Sequence, residues 1–87
     1  MRRIFIAIFS LAIFSSCQNY DYSRVKLPDD HKDLDYNSYL YGYKYGYEQG
    51  RKGNQTSFPF HGIKNEGAVM VGFYSGQYDG LKGNHPN

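Results

Sequence analysis

One cysteine, little excess charge and no apolar run of membrane-spanning length mark what this sequence of 87 residues is short of. The lone cysteine, Cys17, leaves no partner for a disulfide within the chain. The longest apolar or small run, Ile4 to Phe14, falls below the roughly 20 residues that a spanning helix needs. Ten Lys plus Arg stand against eight Asp plus Glu, and two of the ten are Arg2 and Arg3, so residues 17–87 are formally neutral. Nucleic-acid binders draw most of their non-specific affinity from phosphate neutralisation by a basic excess, and no nucleic-acid partner is expected here. Constellations that carry chemistry are equally scarce. His31, His61 and His85 have no ligand partner three or four residues away, as a helical metal site would require. Asp29, Asp30, Asp33 and Asp35 lack the central glycine and terminal glutamate of a calcium loop. Ser57 and His61 come without a glycine-flanked serine elbow, and Glu48 and Glu66 are single carboxylates on separate segments. The expectation is a protein that is not an enzyme, with no metal and no cofactor.

Glycine and tyrosine are abundant instead, ten of each. In "YLYGYKYGYEQGRKGN", residues 39–54, tyrosines alternate with period two while Gly42, Gly46 and Gly50 recur with period four. A second copy decides between the periods. Residues 41–54 align without a gap on 71–84, "VGFYSGQYDGLKGN", at an offset of 30. The copies share Gly42/Gly72, Gly46/Gly76, Gly50/Gly80, Lys52/Lys82, Gly53/Gly83 and Asn54/Asn84, and an aromatic at Tyr43/Phe73. The glycine period survives and the tyrosine alternation does not, so the spacing predicts helices over 36–52 and 66–82, joined by a loop over 53–65. Asp35 or Asn37 is suited to cap the first and Asn65 the second, with Gly53 and Gly83 past their ends. An interior glycine costs roughly 1 kcal/mol against alanine. Close packing of the two helices along Gly42, Gly46, Gly50, Gly72, Gly76 and Gly80 would offset that loss, with Pro59 in the turn between them. The predicted fold is all-α, a two-helix hairpin over 35–87. The alternative is a small tyrosine-rich antiparallel β structure. A membrane-embedded glycine zipper is disfavoured by Lys44, Glu48, Arg51 and Lys52 in or beside the first copy.

The N-terminus reads as an address. Arg2 and Arg3, the run Ile4 to Phe14, then Ser15, Ser16 and Cys17 have the order of a secretory signal peptide over 1–16. "IFSSC" resembles the lipobox of bacterial lipoproteins, in which the cysteine is lipidated and becomes the first mature residue; Phe14 stands where an aliphatic residue is usual. The resemblance implies a covalent lipid on Cys17, membrane attachment through that anchor, and a place in the bacterial cell envelope. Gln18 rather than aspartate after the cysteine points to the outer membrane under the enteric sorting rule. Residues 17–34, with Pro28 and an acidic cluster, read as the lipidated cysteine followed by a flexible tether.

"GYEQGRKGNQTSFPF" followed by "VMVGFYSG" is similar to ribosome modulation factor and the small Rmf/CrpP-like domains. Gly46, Tyr47, Gly50 and Gly53 match the family's first helix, Pro59 and Phe60 its turn, and Gly72, Phe73 and Gly76 its second helix, across residues 40–82. Phe58 replaces the residue before the proline, and Val69 and Phe73 stand at tryptophan positions. The resemblance implies two short helices folded on each other. Ribosome association would follow only for a chain that is not exported.

Tyr41, Tyr45, Tyr74 and Tyr78 fall on the sides of the helices away from the glycines, and a domain this small cannot bury ten tyrosines. Tyrosine pairs a large apolar face with a polar tip, which suits protein interfaces and stacking on sugar rings. The expected role is a protein interaction module, binding an envelope protein or its own copies. A glycan or cell-wall binding module is the second expectation.

Overall fold

The computed structural model describes residues 20–87. Residues 1–16, expected to be a signal peptide, and Cys17, the expected lipidation site, lie outside the described residues. The fold is all-α: helix α1 spans Tyr36–Arg51 and helix α2 spans Glu66–Lys82, with a short 3-10 turn at Asp29–His31. Among the described residues there is no strand, and no helix is long and apolar enough to cross a membrane.

Local chemistry sets the helix limits. The Asp35 carboxylate accepts the Ser38 N–H at 3.0 Å and the Ser38 hydroxyl at 2.8 Å, closing the start of α1. Those bonds hold the Asp35 carboxyl below its usual pKa. Asn65 precedes α2 but does not cap it as expected, because its backbone is left-handed, with φ 56°, whereas a capping residue is extended. Its amide instead donates to Ser38 Oγ at 3.1 Å, joining the two helix starts. Both helices end on a glycine with a left-handed backbone, Gly53 at φ 82° and Gly83 at φ 77°. The following amides, Asn54 and Asn84, donate to the Gln49 and Asp79 carbonyls at 2.9 Å, the pattern of a Schellman stop.

The glycines lie where the helices meet. A Cβ placed on Gly42 would stand 2.0 Å from the Val69 carbonyl oxygen, on Gly46 2.0 Å from that of Phe73, and on Gly50 2.3 Å from that of Gln77. Reciprocally, Gly72, Gly76 and Gly80 face the Tyr39, Tyr43 and Tyr47 carbonyls at 2.0, 2.1 and 2.4 Å. Backbone atoms occupy the space that any side chain would need. Facing residue numbers rise together along both helices, so α1 and α2 run parallel, and the pairs interchange under the thirty-residue repeat as if by a two-fold axis. Residues 52–65 must therefore travel back along the pair. An extended chain covers roughly 3.3 Å per residue against 1.5 Å in a helix, so this connection has length to spare.

Each helix buries a row beside its glycines, Tyr39, Tyr43 and Tyr47 on α1 and Val69, Phe73 and Gln77 on α2. A strap crosses each row. Residues 20–34, read from the sequence as part of a tether, run along α1: Val25 is buried, and Tyr20, Tyr22, Leu27 and Leu34 pack on the tyrosine row. The Tyr36 hydroxyl donates to the Val25 carbonyl at 2.8 Å, and Tyr20 meets Tyr47 edge-on with ring centroids 5.1 Å apart. A row of three large rings exposes too much apolar surface for this segment to stay solvated. The return strap lies on α2. Thr56 N–H donates to Gln77 Oε1 at 2.6 Å, and Gln77 Nε2 donates back to the Thr56 carbonyl at 3.1 Å, which gives the buried Gln77 amide both of its partners.

Candidate functional site

The four outward tyrosines are exposed, Tyr41 by 56%, Tyr45 by 39%, Tyr74 by 45% and Tyr78 by 59%, but the structure does not gather them into one patch. Tyr41 and Tyr45 flank Phe60 of the return strap, with ring centroids 5.8 and 4.9 Å away. Phe58 meets both Phe60, with ring centroids 5.9 Å apart, and the buried Phe73, 5.7 Å away. Pro59 sits between two phenylalanines that both reach aromatic neighbours, so the turn residue belongs to a packed return segment. The Tyr74 hydroxyl accepts the Phe58 N–H at 2.9 Å, which ties Tyr74 to the same strap on its outer side.

Tyr74 and Tyr78 also border a different feature, an open groove of about 500 Å³ between the first strap and α2. Its lining includes Lys26 and Pro28 from the strap, Tyr39 from α1, Ser75 and Asp79 from α2, and Asn87. Ligand sites typically enclose ~300–1,000 Å³ and combine apolar walls with a few polar groups. This groove has that mix of groups but is shallow and largely open to solvent. Sequence reasoning did not select Tyr39, Ser75 or Asp79. The available signal was the repeat itself, since Ser75 occupies the place that Tyr45 holds in the first copy.

A polar network stiffens the groove floor. The Tyr43 hydroxyl donates to the Asp79 carboxylate and accepts the Asn87 N–H at 2.9 Å. The Tyr47 hydroxyl donates to the Asn84 carbonyl at 2.6 Å, so residues 84–87 are held along the tyrosine row. Burial, followed by the bond to Asp79, pushes the Tyr43 phenol pKa far above its ordinary value. Burial likewise raises Tyr39, against an opposing contribution from the Ser75 hydroxyl. Tyr22 is pushed up to about 12, first by burial and then by the charge of Glu48. These phenols are therefore neutral near neutral pH, and the buried Tyr22 hydroxyl has no hydrogen-bond partner among the described residues. Lys82 Nζ lies 5.5 Å from the centre of the exposed Tyr78 ring, within cation-π range.

At the start of α2 Glu66 accepts the Gly62 N–H at 2.8 Å and pairs with His61 Nδ1 at 3.1 Å, and these bonds hold its carboxyl below the usual range. Among the described residues no three His, Cys, Asp or Glu side chains come together as a metal site.

No family model matches the chain, and neither the curated proteins nor the solved structures contain a match. The resemblance to Rmf/CrpP-like domains therefore rests on the residues that carry it, and no family is assigned.

Proposed function

We propose that this chain is a small envelope lipoprotein, anchored through a lipid on Cys17, whose helix pair serves as a protein interaction module without catalytic activity. The observation that carries the reading is the unequal treatment of the tyrosines. Tyr39, Tyr43 and Tyr47 are fully buried, so the core is complete without Tyr78, which keeps 59% of its surface exposed beside an open groove. Exposed aromatic rings next to a concave, partly polar surface are what partner recognition uses. The lipid would hold this surface at the membrane, and two or more acyl chains suffice for stable attachment.

Two measurements test the proposal. Intact mass and membrane fractionation of the native protein against Cys17→Ser should show an acylated chain beginning at Cys17 that leaves the membrane fraction on substitution. A soluble chain that keeps Met1 would refute the anchor and bring ribosome association back as the reading to test. For the interaction, a photo-crosslinking residue at position 78 should yield adducts in cells, and one at Glu48, the same place in the first copy, should not. Adducts at neither position, nor at Tyr41 or Tyr45, would refute the module.

A glycan reading is supported by the same groove, where a sugar ring would stack on Tyr78 and find Ser75, Asp79 and Asn87 as hydrogen-bonding groups. Cosedimentation with purified cell wall, lost in Tyr78→Ser, would favour it over a protein partner.

A further inference from the structure

The first strap fixes where Cys17 can lie relative to the helices. Tyr20 packs edge-on against Tyr47 at 5.1 Å, and its hydroxyl accepts the Arg51 Nε–H at 3.2 Å, with the guanidinium 5.3 Å from the ring centre. The strap therefore begins at the C-terminal end of α1. Farther along, Tyr22 meets Tyr43 and Tyr47, the Val25 carbonyl accepts from Tyr36, and the chain arrives at the start of α1 at Asp35. Only Gln18 and Asn19 separate Cys17 from Tyr20, and three residues of any conformation span at most about 11 Å. A free linker over 17–34 would instead allow an excursion of about 20–25 Å. A lipid on Cys17 thus ties one particular end of the helix pair to the bilayer.

The parallel helices decide what that end carries. A Cβ on Gly80 would stand 2.8 Å from the Arg51 nitrogen, and the Tyr47 hydroxyl donates to the Asn84 carbonyl, so α1 and α2 finish side by side. Arg51 and Lys52 close one helix and Lys82 the other, and all three are exposed, as is Leu81. Residues 50–55 and 80–87 contain no Asp or Glu. The nearest carboxylates are engaged or set back: Asp79 is held by the Tyr43 hydroxyl and the Asn84 amide, Asp21 accepts the Ser23 N–H at 3.0 Å, and Glu48 lies a turn earlier on α1. The opposite end has the reverse sign. Asp29, Asp30, Asp33, Asp35 and Glu66 precede or open the helices there, against Lys32 and Lys64.

We infer that the C-terminal end of the helix pair is a membrane-contact surface: Arg51, Lys52 and Lys82 meet the phosphate headgroups of the bilayer that holds the Cys17 lipid, and the acidic helix starts point away from it. Lysine and arginine are drawn to anionic headgroups within about a Debye length, roughly 10 Å, and the short link to Cys17 keeps this end near that range. Exposed Leu81 adds apolar area that the interfacial layer can bury. The helix starts stand about 24 Å away along the 16 residues of α1, and their carboxylates are repelled by the same phosphates. Anchor position and charge select the same end. This inference rests on the lipid-anchor reading and specifies how the anchored domain meets its membrane.

The test uses the full acylated chain, its mass confirmed, in vesicles containing phosphatidylglycerol and a lipid with a nitroxide on its headgroup. Cys17 is the sole cysteine and its thiol is consumed by the lipid, so one introduced cysteine is the single site for a fluorophore. Gln55→Cys marks the basic end and Asn37→Cys the acidic end, and both positions are exposed. Because the two sites differ by about a helix length, nitroxide quenching should be at least about threefold stronger at 55 than at 37. Lys52→Glu combined with Lys82→Glu should lower the quenching at 55 by about half or more, with the circular dichroism spectrum retained. Equal quenching at the two positions, stronger quenching at 37, or undiminished quenching in the charge-reversed protein overturns the inference, while an acylated chain that stays in the membrane leaves the anchor reading standing. A chain that lacks the acyl mass and stays out of the membrane fraction discards the anchor reading and this inference together.

Discussion

The α1 half and the α2 half share one glycine scaffold and differ in what they place beside it. The α1 row is Tyr39, Tyr43 and Tyr47, and the hydroxyls of Tyr43 and Tyr47 reach Asp79, Asn84 and Asn87. The α2 row is Val69, Phe73 and Gln77, sealed by Phe58 and satisfied by Thr56. A buried phenol requires a partner for its hydroxyl and a phenyl ring does not, so the tyrosine half depends on polar groups from distant segments while the phenylalanine half closes on itself. The helix contact tolerates both solutions because it is made by backbone. The flanking side chains can therefore differ between the two copies without disturbing that contact.

The contrast can be broken most severely at the shared scaffold. Gly46→Ala, whose Cβ would meet the Phe73 carbonyl oxygen at 2.0 Å, should lose about 3 kcal/mol in urea denaturation as the helices are forced apart. Gly67→Ala, in the same protein but with nothing within 4 Å, should gain about 1 kcal/mol; equal effects at the two sites would refute the backbone contact. Phe60→Asp, which removes the ring packed against Tyr41 and Tyr45, should cost about 2 kcal/mol and raise the exposure of both tyrosines to quenchers.

Exchanging the two row chemistries should have smaller effects. Phe73→Tyr, which adds a hydroxyl to a fully buried ring, should cost about 1 kcal/mol, and Tyr43→Phe, which loses two bonds, about 1 kcal/mol. A fully neutral exchange would show that the rows are interchangeable. The smallest effect is in the pH response. Tyr22, Tyr39, Tyr43 and Tyr47 all have raised pKa values in the fold. The unfolded chain therefore loses these protons first, so stability is intact below the ordinary value of 10 and falls as the pH rises toward 12. Tyrosinate absorbance of the folded protein should include a component from these four rings that appears only above 10, and its absence would contradict the burial.

Much of the helical architecture was legible. Helices expected over 36–52 and 66–82 appear at Tyr36–Arg51 and Glu66–Lys82, since their limits depend on Asp35, Gly53 and Gly83 acting within a few residues of themselves. Asn65 was misread because its side chain answers to Ser38, 27 residues away. The candidate site was legible only as a set of outward tyrosines. Periodicity places Tyr78 on an outer face, but it cannot show that Pro28, Tyr39 and Asn87 converge beside it, as those contacts join segments far apart in the chain. The strap over 20–34 was hidden for the same reason: its Tyr20, Tyr22, Val25 and Leu27 are spaced without regular period, and they acquire a purpose only against the tyrosine row.

The sequence by itself determined two helices, their ends and the glycine faces, because those depend on backbone preference, capping and short-range periodicity. Tertiary structure alone decided that the helices run parallel and that one face stays open. A glycine stripe looks the same read in either direction, so its geometry permits both orientations; the choice lies with contacts such as Tyr43 with Asp79, 36 residues apart, and with a return strap whose Phe60 packs against Tyr41 and Tyr45 while the groove beside Tyr78 stays open.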